Sequence, residues 1–127
     1  MKKIISISFL LVLSGNCLAE WVNVASSTDD ESVVYISSEN IKVNGNNRIA
    51  WEVMNHAKVL PDGSMSAKVQ QEYDCTNNKV RMLNASLHTE HFGKGSTILT
   101  LPNTPTKWQV IPKNSIATHT KNYVCER

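Results

Sequence analysis

The chain has little that names a reaction. It carries no C-x-x-C pair, no G-x-S-x-G elbow and no helical H-E-x-x-H stretch. The motif-borne forms of thiol redox, serine hydrolase and zinc-protease chemistry therefore have no foothold. No two carboxylates are spaced for glycoside hydrolysis. Internal repeats and low-complexity segments are missing. Glycine is scarce at 5 residues, proline at 4 and cysteine at 3, which excludes collagen-like, disordered and disulfide-dense classes. No apolar run reaches the roughly 20 residues that a membrane-spanning helix needs. A dominant charge is lacking too. With 13 basic against 11 acidic residues, no broad field exists to draw nucleic acid or an anionic membrane.

What is present begins at the N-terminus. Lys2 and Lys3 precede an apolar stretch from Ile4 to Leu13, and Cys17-Leu18-Ala19 puts small residues where a signal peptidase reads them. Residues 1–19 thus read as a secretory signal peptide, with the mature chain starting at Glu20. Cleavage of 19 residues from 127 leaves 108, a single domain's worth. It also removes Lys2 and Lys3, leaving 11 basic against 11 acidic residues. A lipid anchor at Cys17 would need a small residue just before it, and Asn16 stands there instead. Release after Ala19 is favoured, to the periplasm or the outer cell surface.

Export changes the meaning of the cysteines. Loss of Cys17 leaves Cys75 and Cys125, an even pair in an oxidising compartment. Two cysteines allow one pairing, which would close a loop of about 50 residues and contribute about 4 kcal/mol in the chain-entropy model. The alternative is two free thiols, one of them reactive.

Most of the mature sequence alternates apolar and polar residues with period two, the mark of half-buried antiparallel strands. Short strands are expected over residues 21–25 and 32–36, and extended structure around Ile41 and Val43. Three long ones should follow over residues 48–60, 64–75 and 79–89. Turns fall at Asn44-Gly45-Asn46-Asn47, Pro61-Asp62-Gly63 and Asn77-Asn78. On the first long strand Ile49, Trp51, Val53, Ala57 and Val59 share a face. On the second, Met65, Ala67, Val69, Tyr73 and Cys75 do, and only Gln71 breaks the inward set. On the third, Leu83, Ala85 and Leu87 are in phase. Residues 97–101 suit an edge strand. After Pro112, Asn114 or Ser115 can cap a helix whose stripe is Ile116, Thr120, Tyr123 and Val124. The expected class is α+β: a curved antiparallel sheet of about five or six strands with a C-terminal helix packed on it.

Candidate sites are few. His88-Thr89-Glu90-His91 is the densest group of metal-ligand types, yet residues three apart on a strand point to opposite faces, so solvated side chains are expected. His56 and His119 are isolated. Gly93-Lys94-Gly95-Ser96 lacks the spacing and context of a phosphate loop and reads as a turn. Asn84-Ala85-Ser86 fits a glycosylation pattern that a bacterial-looking leader makes idle. Lys68, Lys79 and Arg81 lie on adjacent expected strands and could form a small positive patch beside Cys75. No catalytic residue, metal site or cofactor site is assigned.

An ordered set of segments resembles the surface-adhesin protein E family of Gram-negative bacteria. It comprises Trp21-Val22-Asn23-Val24, Val34-Tyr35-Ile36, Glu72-Tyr73-Asp74-Cys75, Lys79-Val80-Arg81-Met82-Leu83 and Phe92-Gly93-Lys94-Gly95. It ends with Trp108, Ile111-Pro112, Ser115 and Tyr123-Val124-Cys125. The resemblance implies a sheet with a C-terminal helix and a disulfide between the two matching cysteines. It also implies an adhesin without enzymatic activity, binding host proteins such as vitronectin and laminin, with Lys68, Lys79 and Arg81 in the binding segment by position. The competing readings are a periplasmic accessory protein of the envelope without a host ligand and a small periplasmic enzyme.

Overall fold

The computed structural model describes residues 21–29, 31–101 and 104–127. The expected leader, with Cys17, lies outside the described residues. The alternating sequence forms an eight-stranded antiparallel sheet: β1 (Trp21–Ser26), β2 (Ser32–Ser37), β3 (Lys42–Asn44), β4 (Asn47–His56), β5 (Ser66–Asp74), β6 (Lys79–His88), β7 (Thr97–Thr100) and β8 (Gln109–Val110). One helix follows, α1 (Ile116–Cys125). The main path runs β1-β2-β4-β5-β6-β7.

The three long strands form the centre, and two short strands share each flank. Along β4, β2 pairs with the Glu52–His56 end and β3 with the Asn47–Ile49 end. Along β6, β7 pairs near His88 and β8 near Lys79. This sharing raises the strand number above the expected five or six. The two-residue β8 has no alternation for a sequence to display.

Two expected strand features change. β4 stops at His56 rather than at residue 60. Leu60 N–H bonds to Ser64 O at 3.0 Å and Gly63 N–H to Leu60 O at 2.8 Å, so the turn begins early and Val59 is exposed. In β6, Gln70 pairs with Asn84 but Gln71 pairs with Met82, so the register skips Leu83. This bulge reverses the pleat's phase. Val80 therefore packs on the core, and Met82 lines the same groove as Ala85 and Leu87.

The core lies between sheet and helix: Ile36, Ala50, Tyr73, Ile111 and Val124. Ser115 caps α1, its hydroxyl accepting from Thr118 N–H at 3.3 Å. Thr120 and Val124 are the helix's buried residues. Threonine is a weak helix former, so packing of this face sustains the helix. The Cys75–Cys125 disulfide ties the end of α1 to the turn after β5, with Cα atoms 5.9 Å apart.

Candidate functional site

The two faces of the sheet are built differently. The helix covers the face carrying Ala50, Glu52 and Tyr73 rather than the Ile49, Trp51 and Val53 set that alternation points inward. Both sets are apolar enough to be covered, and alternation alone cannot rank them. The other, outer face is closed at one end by the loop of residues 89–96. Phe92 N–H bonds to Asn55 Oδ1 at 2.9 Å, and Gly93 N–H to Ser66 Oγ at 3.0 Å. The Phe92 ring meets Tyr35 at 4.8 Å and Trp21 at 6.4 Å between centroids. Val53 is fully buried on this side.

The rest of the outer face is open and carries cations against aromatic rings. Lys68 Nζ lies 5.1 Å from the centroid of the Trp51 ring, and the Arg81 guanidinium lies 4.5 Å from that of Trp108. All three expected basic residues share this face: Lys68 and Glu72 alternate on β5, while Arg81 and Lys79 pair across from Glu72 and Asp74. They form a strip rather than a cluster, since Lys68 and the Glu72 pair are roughly 13 Å apart along the strand.

Their charges are not equivalent. Arg81 clamps Glu72 Oε1 through Nε at 2.9 Å and Nη2 at 2.7 Å. Asn44 and Asn47 donate to Glu72 Oε2 at 3.0 and 3.1 Å. Burial pushes the Glu72 carboxyl up, but Arg81, Asn47 and Asn44 outweigh it and hold it below the usual range. Asp74 is likewise held low by hydrogen bonds from Asn77, with Lys79 adding its charge. Arg81 is thus compensated. Among the described residues the Arg81–Glu72 pair is the one ion pair, so on this face Lys42, Lys68 and Lys79 form none. Lys42 and Lys68, with Trp21, Ser37, Asn40 and Trp51, line a depression of about 290 Å³.

The histidines do not converge. His88 Nε2 meets Ser86 Oγ at 2.7 Å, His91 Nε2 meets the His56 carbonyl at 2.7 Å, and His56 Nδ1 meets Ser32 Oγ at 3.2 Å. Burial holds both His56 and His88 below the usual imidazole range. No group of three or more metal-ligand side chains forms among the described residues. Gly93-Lys94-Gly95-Ser96 closes a hairpin, with Thr89 N–H on Ser96 O at 3.0 Å; a side chain at Gly95 would collide with Thr89 and Glu90. Asn84 is exposed and donates to Gln70 Oε1 at 2.6 Å.

One feature was not legible in sequence. Glu52 is buried under the helix, accepting from the Tyr73 hydroxyl and from Gln71 Nε2 at 2.8 Å. Tyr73 Oη also lies 2.9 Å from Thr120 Oγ1, which donates to the Ala117 carbonyl at 3.0 Å. Desolvation pushes the Glu52 carboxyl up, and desolvation with the Glu52 charge pushes Tyr73 well above its usual value. The signal for this network was Gln71, the polar break in an otherwise apolar face.

Comparison with known proteins follows the same outline. The family model for surface-adhesin protein E matches residues 21–126. Crystal form II of Haemophilus influenzae protein E superposes with a TM-score of 0.59 at 17% identity, over 85% of this chain and 97% of that one. The selenomethionine form of that protein gives 0.62 at 16% identity, over 84% and 85%. At such identities the likeness concerns the fold. No curated protein matches the sequence. Among the described residues no helix is long and apolar enough to cross a membrane.

Proposed function

This chain belongs to the surface-adhesin protein E family, and from that premise we propose that it is an exported, non-enzymatic binding module that engages host extracellular proteins of the vitronectin and laminin type. Residues 1–19 act as a leader, and the mature protein begins at Glu20. The observation that carries the reading is the family match across residues 21–126, joined to an outer face left open with cations set against Trp51 and Trp108. Tryptophan and arginine at such a face are the residue types that dominate protein recognition. Lys68 and Lys79 supply attraction, and Arg81 braces the strip through Glu72.

A second reading, an envelope accessory protein without a host ligand, is favoured by one observation. Arg81 is compensated by Glu72, so little free charge is on offer along the β5–β6 strip. Two measurements separate the readings. Protease added to intact cells cleaves a surface-displayed adhesin but spares a periplasmic protein. Capture of vitronectin and laminin by the exported protein should fall about tenfold in the Lys68→Gln/Lys79→Gln variant, as for loss of one good charged contact. Unchanged capture removes these lysines from the site; absent capture by the native protein supports the accessory role. Arg81→Glu is unsuitable, because it would set a second carboxylate against Glu72.

A further inference from the structure

We infer that the depression between Trp21, Trp51, Lys42 and Lys68 is a binding site for an anionic sugar unit, a pyranose bearing a carboxylate or sulfate. This deepens the adhesin reading and rests on it for the choice of face. The site is drawn from five places in the chain. Trp21 opens β1, Ser37 and Asn40 flank the turn after β2, Lys42 opens β3, and Trp51 and Lys68 face out of β4 and β5. Asn40 Nδ2 donates to the buried Ser37 Oγ at 2.8 Å, which fixes the wall between Trp21 and Lys42. Phe92 braces Trp21 from the loop side. Lys68 is held over Trp51, and its stem packs where a side chain at Gly93 would otherwise stand.

The lining selects the ligand class. Two lysines that form no ion pair with a carboxylate among the described residues call for an anion, and a charge-assisted bond to either is among the stronger polar contacts available. A bare sulfate would leave the Trp21 indole uncovered. The C–H face of a pyranose is the complement of that indole, beside the Lys68 ammonium held over Trp51, and its hydroxyls suit Asn40 and the ammonium donors. An acidic peptide fits less well. Trp51 and Lys68 rise from the face of the paired β4-β5 ladder, where backbone amides are already engaged, so an extended chain finds no register there. The volume of about 290 Å³ suits one or two sugar rings rather than a protein surface.

The test uses the exported protein with its disulfide intact, followed by the indole N–H signals of its three tryptophans in NMR titrations. Trp108 stands outside the depression and serves as the internal control. The probes are a sulfated, uronate-containing heparin disaccharide, neutral chitobiose, inorganic sulfate and a short poly-aspartate peptide. The disaccharide should shift the Trp21 and Trp51 signals saturably and leave Trp108 in place. Lys42→Glu and Lys68→Gln should each weaken binding about tenfold, the loss of one charge-assisted contact. An unmoved Trp108 signal in these variants shows that the fold is kept. Four results overturn the proposal: no shift with the disaccharide, equal affinity for chitobiose, equal shifts with sulfate alone, or tighter binding of the peptide. Disaccharide binding without vitronectin or laminin capture would sink the host-protein reading and leave this one standing; the reverse would do the opposite.

Discussion

The helix-covered face and the outer face of the same sheet solve opposite problems. Under the helix, polar groups are locked away and fully partnered: Glu52, Gln71, Tyr73 and Thr120 form one chain of hydrogen bonds beside Ile36, Ala50 and Val124. On the outer face, the charges of Lys68 and Arg81 rest on tryptophan rings at the solvent boundary. The first arrangement spends its polar groups on internal order, since each buried donor or acceptor must be satisfied. The second leaves charge and aromatic surface available to a partner. The two sides of the sheet are thus built differently, and substitutions on each side should read out differently.

The largest expected effect breaks the helix-covered side. Cys75→Ser with Cys125→Ser frees a loop with a sequence separation of 50 and should lower stability by about 4 kcal/mol. Urea unfolding checks this, and an unchanged midpoint would show that α1 is held by packing alone. Next comes Tyr73→Phe. It leaves Glu52 with Gln71 as its remaining hydrogen-bond donor and takes the hydroxyl from Thr120, at a cost of about 1–3 kcal/mol. The midpoint should move while the denaturant slope stays constant. By contrast, Lys68→Gln on the outer face should stay within about 0.5 kcal/mol of the native protein, the usual range for surface changes.

The smallest effect sharpens the comparison through pH. The Glu52 carboxyl is raised by desolvation, so the folded chain holds a proton that the unfolded chain has released. Stability from this group is full below the unfolded carboxyl value of about 4.3 and declines as pH rises toward the folded one. When protonated, Glu52 donates to Tyr73, Tyr73 to Thr120, and Thr120 to the Ala117 carbonyl, so each hydroxyl has a proton to give. Glu52→Gln reproduces that order, with Gln71 still donating to the amide oxygen. The variant should therefore match or exceed native stability at neutral pH and lose this part of the pH slope. A melting temperature series from pH 4 to 8 tests it, and an unaltered slope would show that Glu52 is already ionised in the folded protein.

Much of the fold was legible from local patterns. Asn44-Gly45 and Asn77-Asn78 mark hairpins because their backbones reach positive φ, as Gly45 and Asn78 do at 60° and 54°. The Ser115 cap and the Thr120–Val124 stripe follow from the same local reading. The skip at Leu83 left only a faint local trace, the adjacent apolar pair Met82-Leu83 between two alternating runs, and the pairing of Gln71 with Met82 is what reveals which residue is passed over. The candidate site was legible in part. Lys68, Lys79 and Arg81 share a face as expected, but the neutralising Glu72 sits on a different strand from Arg81. Trp21, Asn40 and Lys42 come from segments too far apart in sequence to suggest a common wall with Lys68.

The sequence alone determined the period-two strands, their turns and the capped terminal helix, because those depend on neighbours a few residues away. It also marked Cys75 and Cys125 as the pair to be cross-linked, as the structure shows. Tertiary structure decided which sheet face the helix covers, which basic residues keep their charge free, and that a glutamate is buried beside Tyr73. Those outcomes depend on residues brought together across strands, and on the competition between desolvation and hydrogen bonding that only their final distances resolve.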